Sequence, residues 1–459
     1  MAIHYYSTNR NLHSVESLKP FKETVTFREA LLQGQAPDEG LFMPDAIPLL
    51  NLSDIAALRD KPYAETAKFV ARAFLRDDVS SSVLSHIVED AYNFPVPLEH
   101  VAQRKYILRL DQGPTASFKD FAARMMARLM STLRDKGQSL HVLVATSGDT
   151  GSAVGNAFYN ISGIRVTILY PRNEVSGRQK KQLDSIGDNI QSISVDGKFD
   201  QCQNLVKEAF ADPELIPLNL TSANSINFGR ILPQMIYYIY AYAQLAGSGE
   251  KIIFSVPSGN FGNALGCEYA RRMGLPVAKL VMPVNENEEF PRYLATGVYQ
   301  KISPSRACLS NAMNVGHPSN LARFFDLFGG TVDRTGHVHA YPDREEMKRH
   351  IFSVSVTDEE TKDTVIRVYR DYGIILEPHG AVAWRGLERY LAENSDEENT
   401  LCVCLETAHP AKFPAEIIEL LNITPELPPA MKNIDAKQSH ALNLPARYDA
   451  LKDYLLKTQ

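Results

Sequence analysis

The sequence predicts an α/β fold built on parallel sheets, and three features predict it. From residue 106 onward, short β-branched or apolar runs alternate with helix-length amphipathic segments. The runs are continuously apolar, the pattern of strands covered on both faces. Several of them lead through loops rich in Gly, Ser, Thr and Asn directly into helices, which is where open α/β sheets bind ligands.

Taken in order, the first hundred residues stand apart. Pro20, Pro37, Pro44 and Pro48 punctuate helical pieces without a clear strand series, so residues 1–100 read as a separate N-terminal helical region. Tyr106–Asp111 then reads as a strand and Ser117–Asp135 as a helix, with further strands at His141–Thr146, Arg165–Tyr170 and Asn189–Val195. Residues 101–225 therefore form a first α/β part. Lys251–Val256, Val277–Pro283 and Leu401–Leu405 are the strands of a second part, residues 226–459. Within it Asn287–Pro342 is irregular, an insertion or a cover over the core, and the proline-rich tail ends in a helix at Tyr448–Leu456. A length of 459 residues fits two or three such units, at a prior of about 150 residues each.

Composition excludes several function classes. With 48 Lys and Arg against 54 Asp and Glu, the net charge of −6 speaks against a general binder of nucleic acid or membrane surfaces, which would carry basic patches. No apolar run approaches the length of a membrane span, and residues 1–10 hold no apolar segment of the secretory kind; a cytoplasmic chain is expected. The five cysteines are scattered without a C-x-x-C pair, and the His residues show no close metal-ligand spacing. That usage points to packed thiols and no metal. Cys402 and Cys404 alternate along one apolar run and should face the same side of a buried strand.

The chemistry is concentrated in the loops. After the first strand comes Gly113-Pro114-Thr115-Ala116-Ser117-Phe118-Lys119-Asp120. The S-x-x-D spacing of Ser117 and Asp120 predicts a capping box with the helix starting at Ser117. Lys119 would then sit in the first turn, where the helix dipole disfavours a cation and favours the neutral amine that Schiff-base chemistry needs. By itself this is equally an exposed lysine in an ordinary first turn. The loop Thr146-Ser147-Gly148-Asp149-Thr150-Gly151 suits a carboxylate or a phosphate at a helix entrance, or simply caps that helix. Gly259-Asn260-Phe261-Gly262-Asn263 reads as a phosphate loop working through backbone N–H groups; it is neither G-x-x-x-x-G-K-[ST] nor G-x-G-x-x-G. Asn224, Ser225 and Arg230 gather an amide, a hydroxyl and a guanidinium before an apolar run. If that stretch is helical, Arg230 follows the pair by roughly one and a half turns and could grip a phosphate in bidentate fashion. Glu406-Thr407-Ala408-His409-Pro410 closes the last strand.

Together these loops resemble pyridoxal-phosphate enzymes of the tryptophan-synthase-β type (fold type II), and within that group the threonine synthases. The resemblance runs from Tyr6-Ser7-Thr8 and Phe27-Arg28-Glu29-Ala30, through Gly34-Gln35-Ala36-Pro37-Asp38-Glu39-Gly40-Leu41-Phe42-Met43-Pro44, to Thr407-Ala408-His409-Pro410-Ala411-Lys412-Phe413. It implies a fold of two α/β domains flanking pyridoxal 5′-phosphate, behind an N-terminal region typical of threonine synthases. It also implies roles: Lys119 carries the cofactor as a Schiff base, Gly259, Asn260, Phe261, Gly262 and Asn263 surround its phosphate, and Thr407 stands beside the pyridine nitrogen. A neutral partner there leaves that nitrogen largely unprotonated. Thr146, Ser147 and Thr150 match the loop that receives the substrate carboxylate, and Asn224, Ser225 and Arg230 match the site of the substrate phosphate. Two departures stand out. Asp149 occupies a position near the cofactor's ring hydroxyl where many relatives carry asparagine, and Asn9-Arg10 replaces the Arg-Gly that often follows the N-terminal Ser-Thr.

The implied activity is a carbon–oxygen lyase acting on phosphate, the last step of threonine biosynthesis: O-phospho-L-homoserine and water become L-threonine and phosphate. The freed Lys119 amine moves protons at Cα and Cβ, phosphate leaves from Cγ, and water adds at Cβ. The same loops would equally serve a phospho-lyase that releases a keto acid, or a catalytically silent protein that binds the cofactor. Cysteine-synthase and threonine-deaminase relatives need neither Arg230 nor the long N-terminal region, and a nicotinamide dehydrogenase lacks its fingerprint here. The expected partner is the small substrate alone, with no nucleic acid and no membrane; monomer and homodimer both stay open.

Overall fold

The computed structural model describes residues 2–12 and 19–457; residues 1, 13–18 and 458–459, which belong to the expected N-terminal region and second α/β part, lie outside the described residues. Two parallel-strand-rich sheets organise the chain. The first has five strands in the order Leu442–Pro445, Ile190–Asp196, Ile164–Pro171, Leu140–Ala145, Leu220–Thr221, and every pairing in it is parallel. The second has six, in the order Ile351–Ser355, Val277–Val284, Ile252–Ser255, Leu401–Glu406, Lys105–Arg109, Leu98–Ala102. Only the last pair, a hairpin, is antiparallel. The strands expected from apolar runs are all present, with ends shifted by no more than two residues.

The sheets do not follow the expected cut between residues 225 and 226. Lys105–Arg109, placed in the first part, pairs with Leu401–Glu406 of the second sheet, and Leu442–Pro445 from the tail pairs with Ile190–Asp196 of the first. Strand pairing is a long-range choice that local apolar patterning does not encode. The N-terminal region is not separate either. Its helices Tyr63–Leu75 and Ser81–Ala91 bury Tyr63 and Tyr92 against the helix Lys119–Leu133. The Tyr63 ring lies 5.2 Å from Phe121 and 5.1 Å from Tyr240, edge-on in both cases. One large core thus unites the N-terminal helices with the facing sides of both sheets. Cys402 and Cys404 share the opposite face of the six-stranded sheet with Ile253, Val281 and Trp384, as the alternation predicts.

The helices Leu232–Leu245 and Gly262–Arg272 pack closely against each other. These two helices carry Arg230 and the phosphate-type loop at their entrances. A Cβ on Gly266 would stand 2.5 Å from the Gln234 carbonyl oxygen and 2.7 Å from its carbon, so only glycine allows this approach. Gly266→Ala gains about 1 kcal/mol of helix propensity, yet overpacking against backbone costs about 1–3 kcal/mol. A net loss of stability is expected, read as a lower denaturant midpoint with an unchanged slope.

Candidate active site

The candidate site lies beyond the carboxyl ends of strands from both sheets. Lys119 is the first residue of its helix, and the chain before it is docked on the Thr407 loop. Ser117 forms a bridge with Ala408, Phe118 N donates to Thr407 O at 2.9 Å, and His409 N donates to Ala116 O at 3.0 Å. The expected capping box does not form. Helix geometry begins two residues later than expected, and the Asp120 carboxylate turns back to take Thr115 N at 2.8 Å and Thr115 Oγ1 at 2.7 Å. A side chain on Gly113 would collide with that carboxylate, so the glycine makes room for the turn.

Lys119 keeps 13% of its side chain exposed, and Nζ lies 3.6 Å from Asp149 Oδ2. Burial pushes the amine below the usual lysine range; Asp149 opposes the shift, while Lys412 and Arg230 add to it. Desolvation and neighbouring cations thus do what the helix dipole was expected to do. Asp149 is buried at the start of the helix Asp149–Phe158 and also takes Gln179 Nε2 at 2.9 Å and Lys412 Nζ at 2.6 Å. Burial alone would raise its carboxyl, but the two lysines outweigh burial and hold it far below the ordinary range.

The Thr146 loop is built from within. Thr146 Oγ1 accepts from Gly148 N and Gly151 N, both at 2.9 Å, so this hydroxyl shapes the loop, while Ser147 and Thr150 remain partly exposed. In the Gly259–Asn263 loop the side chains are likewise committed inward. Asn263 Nδ2 donates to Pro257 O at 2.8 Å, and Phe261 packs edge-on against Phe290 at 5.1 Å. Phe261 adopts the left-handed conformation (φ 62°), which turns the chain into the helix Gly262–Arg272. What such a loop offers a ligand is backbone N–H groups at a helix start, as expected of a phosphate site.

Residues 224–230 are not helical, which corrects the assumed one and a half turns. The chain bends through Asn224–Ile226 and enters a single 3₁₀ turn, Phe228–Arg230, where Asn227 Oδ1 accepts from Gly229 N at 2.9 Å. The bend still brings the residues together. Arg230 is 3% exposed and donates to Ala223 O at 2.7 Å. Its Nε and the Asn224 Oδ1 are buried without a hydrogen-bond partner in the protein. A Cβ on Gly262 would touch Ser225 Cβ at 3.4 Å, so this loop adjoins the phosphate-type loop.

Three contributors escaped the sequence reading. Lys412, in the turn Pro410–Lys412, is fully buried between Asp149 and Thr115 O, and it also lines a cleft of about 780 Å³ with Arg178, Lys181 and Asp358. Asn320 and Arg323 come from the irregular 287–342 segment. Asn320 Nδ2 donates to Asn260 O at 3.0 Å, and Arg323 donates to Ser225 O at 2.9 Å and Ile226 O at 2.6 Å. That segment buttresses both the Gly259–Asn263 loop and the Asn224–Arg230 bend. No local motif announces any of the three, since each acts only through contacts distant in sequence.

The donor set fits a phosphorylated aldehyde cofactor. It combines a largely buried lysine whose amine is driven toward neutrality, a glycine-bearing turn at the head of an 11-residue helix, and the buried Thr407 facing the same loop as Lys119. Comparison with known proteins agrees. Residues 93–406 match the family model described as pyridoxal-phosphate dependent enzyme. Residues 5–92 match the threonine synthase N terminus and 380–455 the threonine synthase C-terminal model. Threonine synthase from Haemophilus influenzae is 38% identical over 447 residues, covering 96% of this chain and 99% of that protein. The crystal structure of threonine synthase from Escherichia coli superposes with a TM-score of 0.87 at 35% identity, covering 99% of this chain and 100% of that one. A structure described as PLP-bound threonine synthase from Brucella melitensis gives 0.88 at 30% identity, with 99% of each chain covered.

Gly259 and Gly262 should respond differently to substitution. A Cβ on Gly259 would stand 2.7 Å from Ala312 O, whereas on Gly262 the nearest atom is a side-chain nitrogen at 3.3 Å. Gly262→Ala should therefore fold with an almost unchanged thermal midpoint while its affinity for pyridoxal phosphate falls about tenfold, because the added methyl obstructs close backbone approach. Gly259→Ala should lose stability first. Thermal unfolding and cofactor titration on the two variants check both halves.

Proposed function

The chain belongs to the threonine synthase family of pyridoxal-phosphate enzymes, and we propose that it converts O-phospho-L-homoserine and water into L-threonine and phosphate with Lys119 as its central group. The observation that carries this reading is the Lys119 environment: a lysine with 13% of its side chain exposed, driven toward the neutral amine, on a loop docked to Thr407. Bound there, pyridoxal phosphate supplies the electron sink that makes protons at Cα and Cβ labile.

The protein's own residues divide the remaining work. Backbone N–H groups of Gly259–Asn263 would hold the cofactor phosphate, and Thr407 would meet the ring nitrogen with a neutral hydroxyl. The Lys119 amine would take the proton from substrate Cα and return it as the reaction advances, the task of a general base with a lowered pKa. Ser147 and Thr150 would receive the substrate carboxylate on the loop that Thr146 braces. Arg230 would hold the departing phosphate. Burial lowers this guanidinium only to about 10, so it stays charged at neutral pH. Its buried, unpartnered Nε supports a role that a ligand completes. Water must reach Cβ only after phosphate has left, which the enclosure of these loops favours.

Two variants separate the roles. Lys119→Ala should abolish both the borohydride-fixed linkage to the cofactor and turnover, and a linkage surviving on another lysine would remove Lys119 from its place. Arg230→Ala should keep the visible cofactor band and lose about a hundredfold in kcat/KM for phosphate release, roughly the 2–3 kcal/mol of a charge-assisted contact. Arg230→Lys should recover little, since a point charge does not reproduce the planar fork. Product analysis on the wild type decides between the two reaction outcomes: L-threonine supports the reading, and a keto acid points to the phospho-lyase instead.

A further inference from the structure

Asp149 is shared by two lysines on unequal terms. Lys412 Nζ lies 2.6 Å from Oδ1, has a second acceptor in Thr115 O at 3.0 Å, and its side chain is 0% exposed. Lys119 Nζ lies 3.6 Å from Oδ2, beyond good hydrogen-bond length, and retains 13% exposure. Gln179 Nε2 at 2.9 Å reinforces the Lys412 side of the carboxylate. One carboxylate neutralises one ammonium, and an unpaired buried ammonium is strongly disfavoured. Of the two lysines, Lys412 is the one paired with the carboxylate at close ion-pair length.

The geometry points to Lys412 as a positioning residue whose ammonium occupies Asp149 and so leaves Lys119 a neutral amine, available for covalent attachment of the cofactor. This rests on the reading of Lys119 as the anchoring lysine and deepens it. Without Lys412, the whole attraction of Asp149 would fall on Lys119 and hold its proton in place. Aspartate, rather than a neutral amide, then stands at position 149 because the second buried lysine behind it needs a counter-charge.

The groups facing Lys119 are few. Asp149 comes from the helix Asp149–Phe158, Lys412 from the turn Pro410–Lys412, and Arg230 from the turn Phe228–Arg230. Asp120, on the same helix as Lys119, is committed to Thr115 and acts on Arg230 and Lys412. His409, near Lys412, is kept neutral by burial, which takes it down to about 4. Among the described residues facing Lys119, the Asp149–Lys412 pair therefore offers a charge that can be removed without touching the proposed substrate contacts.

The test uses the full-length chain freed of cofactor. Pyridoxal 5′-phosphate is added at a series of pH values from about 6 to about 10, the linkage is fixed with borohydride, and the modified peptide containing residue 119 is quantified by mass spectrometry. Lys412→Met should move the midpoint of attachment upward by about one pH unit, a tenfold gain in proton affinity at Lys119. The sign follows from the charges, because removing Lys412 removes a repulsion and frees an attraction, and both favour the protonated amine. Lys412→Arg should stay near the wild type. Asp149→Asn should lower the midpoint, and the double variant should return toward the wild-type value. A purely structural Lys412 would depress thermal stability and leave the midpoint where it was, which would overturn the proposal. Should Lys412→Met fail to fold, Asp149→Asn decides, and an unchanged or raised midpoint there overturns it. Wild-type attachment on a lysine other than Lys119 would overturn the underlying functional reading, and this proposal with it.

Discussion

The site depends on one buried cation that takes no part in the proposed chemistry. Arg323 has no exposed surface, and its guanidinium joins segments that are far apart in the chain. Nε donates to Phe42 O at 3.1 Å, NH1 to Ser225 O at 2.9 Å and Asn320 Oδ1 at 2.6 Å, and NH2 to Ile226 O at 2.6 Å. Burying a guanidinium costs several kcal/mol, and charge-assisted hydrogen bonds to neutral oxygens return about 1.5–3 kcal/mol each. Burial lowers its pKa only to about 10, so the charge persists. The N-terminal strand Phe42–Pro44, the Asn224–Arg230 bend and the helix Leu321–Leu327 are thereby fixed to one planar group. Asn320 extends the same frame to the Gly259–Asn263 loop through Asn260 O. An N-terminal region typical of threonine synthases thus reaches the site through this arginine, and also through Leu31 O, which accepts from Asn227 Nδ2 at 2.8 Å.

How much of this was legible in the sequence depends on whether a feature is local. Apolar runs report burial on both faces, so the strands could be read to within two residues of their ends. The loops that hold Lys119, the two glycine motifs and Thr407 were legible as loops that follow parallel strands, while the roles proposed for them came from the family resemblance. The condition that the Asn224–Arg230 stretch be helical is not met, because its partners, Arg323 and Leu31 O, lie elsewhere in the chain and override local propensity. The Ser117–Asp120 spacing failed for a similar reason. Ser117 is bridged to Ala408 and Asp120 is claimed by Thr115, leaving neither for a cap. Lys412 could be seen only as a letter in a motif; its meaning lies in a contact that spans 263 positions, from 149 to 412.

Next to Thr407 in the chain stands a buried carboxyl. Glu406 is fully buried, Oε1 accepts from Glu377 N at 2.9 Å, and Oε2 has no partner. Burial, with Glu377 adding to it, pushes the Glu406 carboxyl well above the usual range, although Arg109 lies 3.6 Å away. Burial thus works against the charged form of this carboxyl while Arg109 works for it. Because successive side chains on a strand point to opposite faces, Glu406 and Thr407 can serve different environments. The hydroxyl proposed to meet the ring nitrogen is thus set apart by strand alternation from the buried carboxyl next to it.

The chain path turns these local choices into a condition on the whole fold. After Leu401–Glu406 leaves the six-stranded sheet, the chain passes through Thr407 and Lys412 and then returns to the five-stranded sheet, where Leu442–Pro445 pairs with Ile190–Asp196. Lys412 thus leaves one sheet and meets Asp149, which stands at the carboxyl end of a strand in the other. Lys119 follows Lys105–Arg109, the strand next to Leu401–Glu406, yet its counter-charge comes from across the interface. Charge balance at the amine consequently requires both sheets and the returning segment to be in register at once. Electrostatic contacts weaken only gradually with separation, but the desolvation that gives them strength is lost as soon as water enters. The surroundings that lower the Lys119 amine are therefore assembled by both sheets together rather than by the lysine's own helix alone.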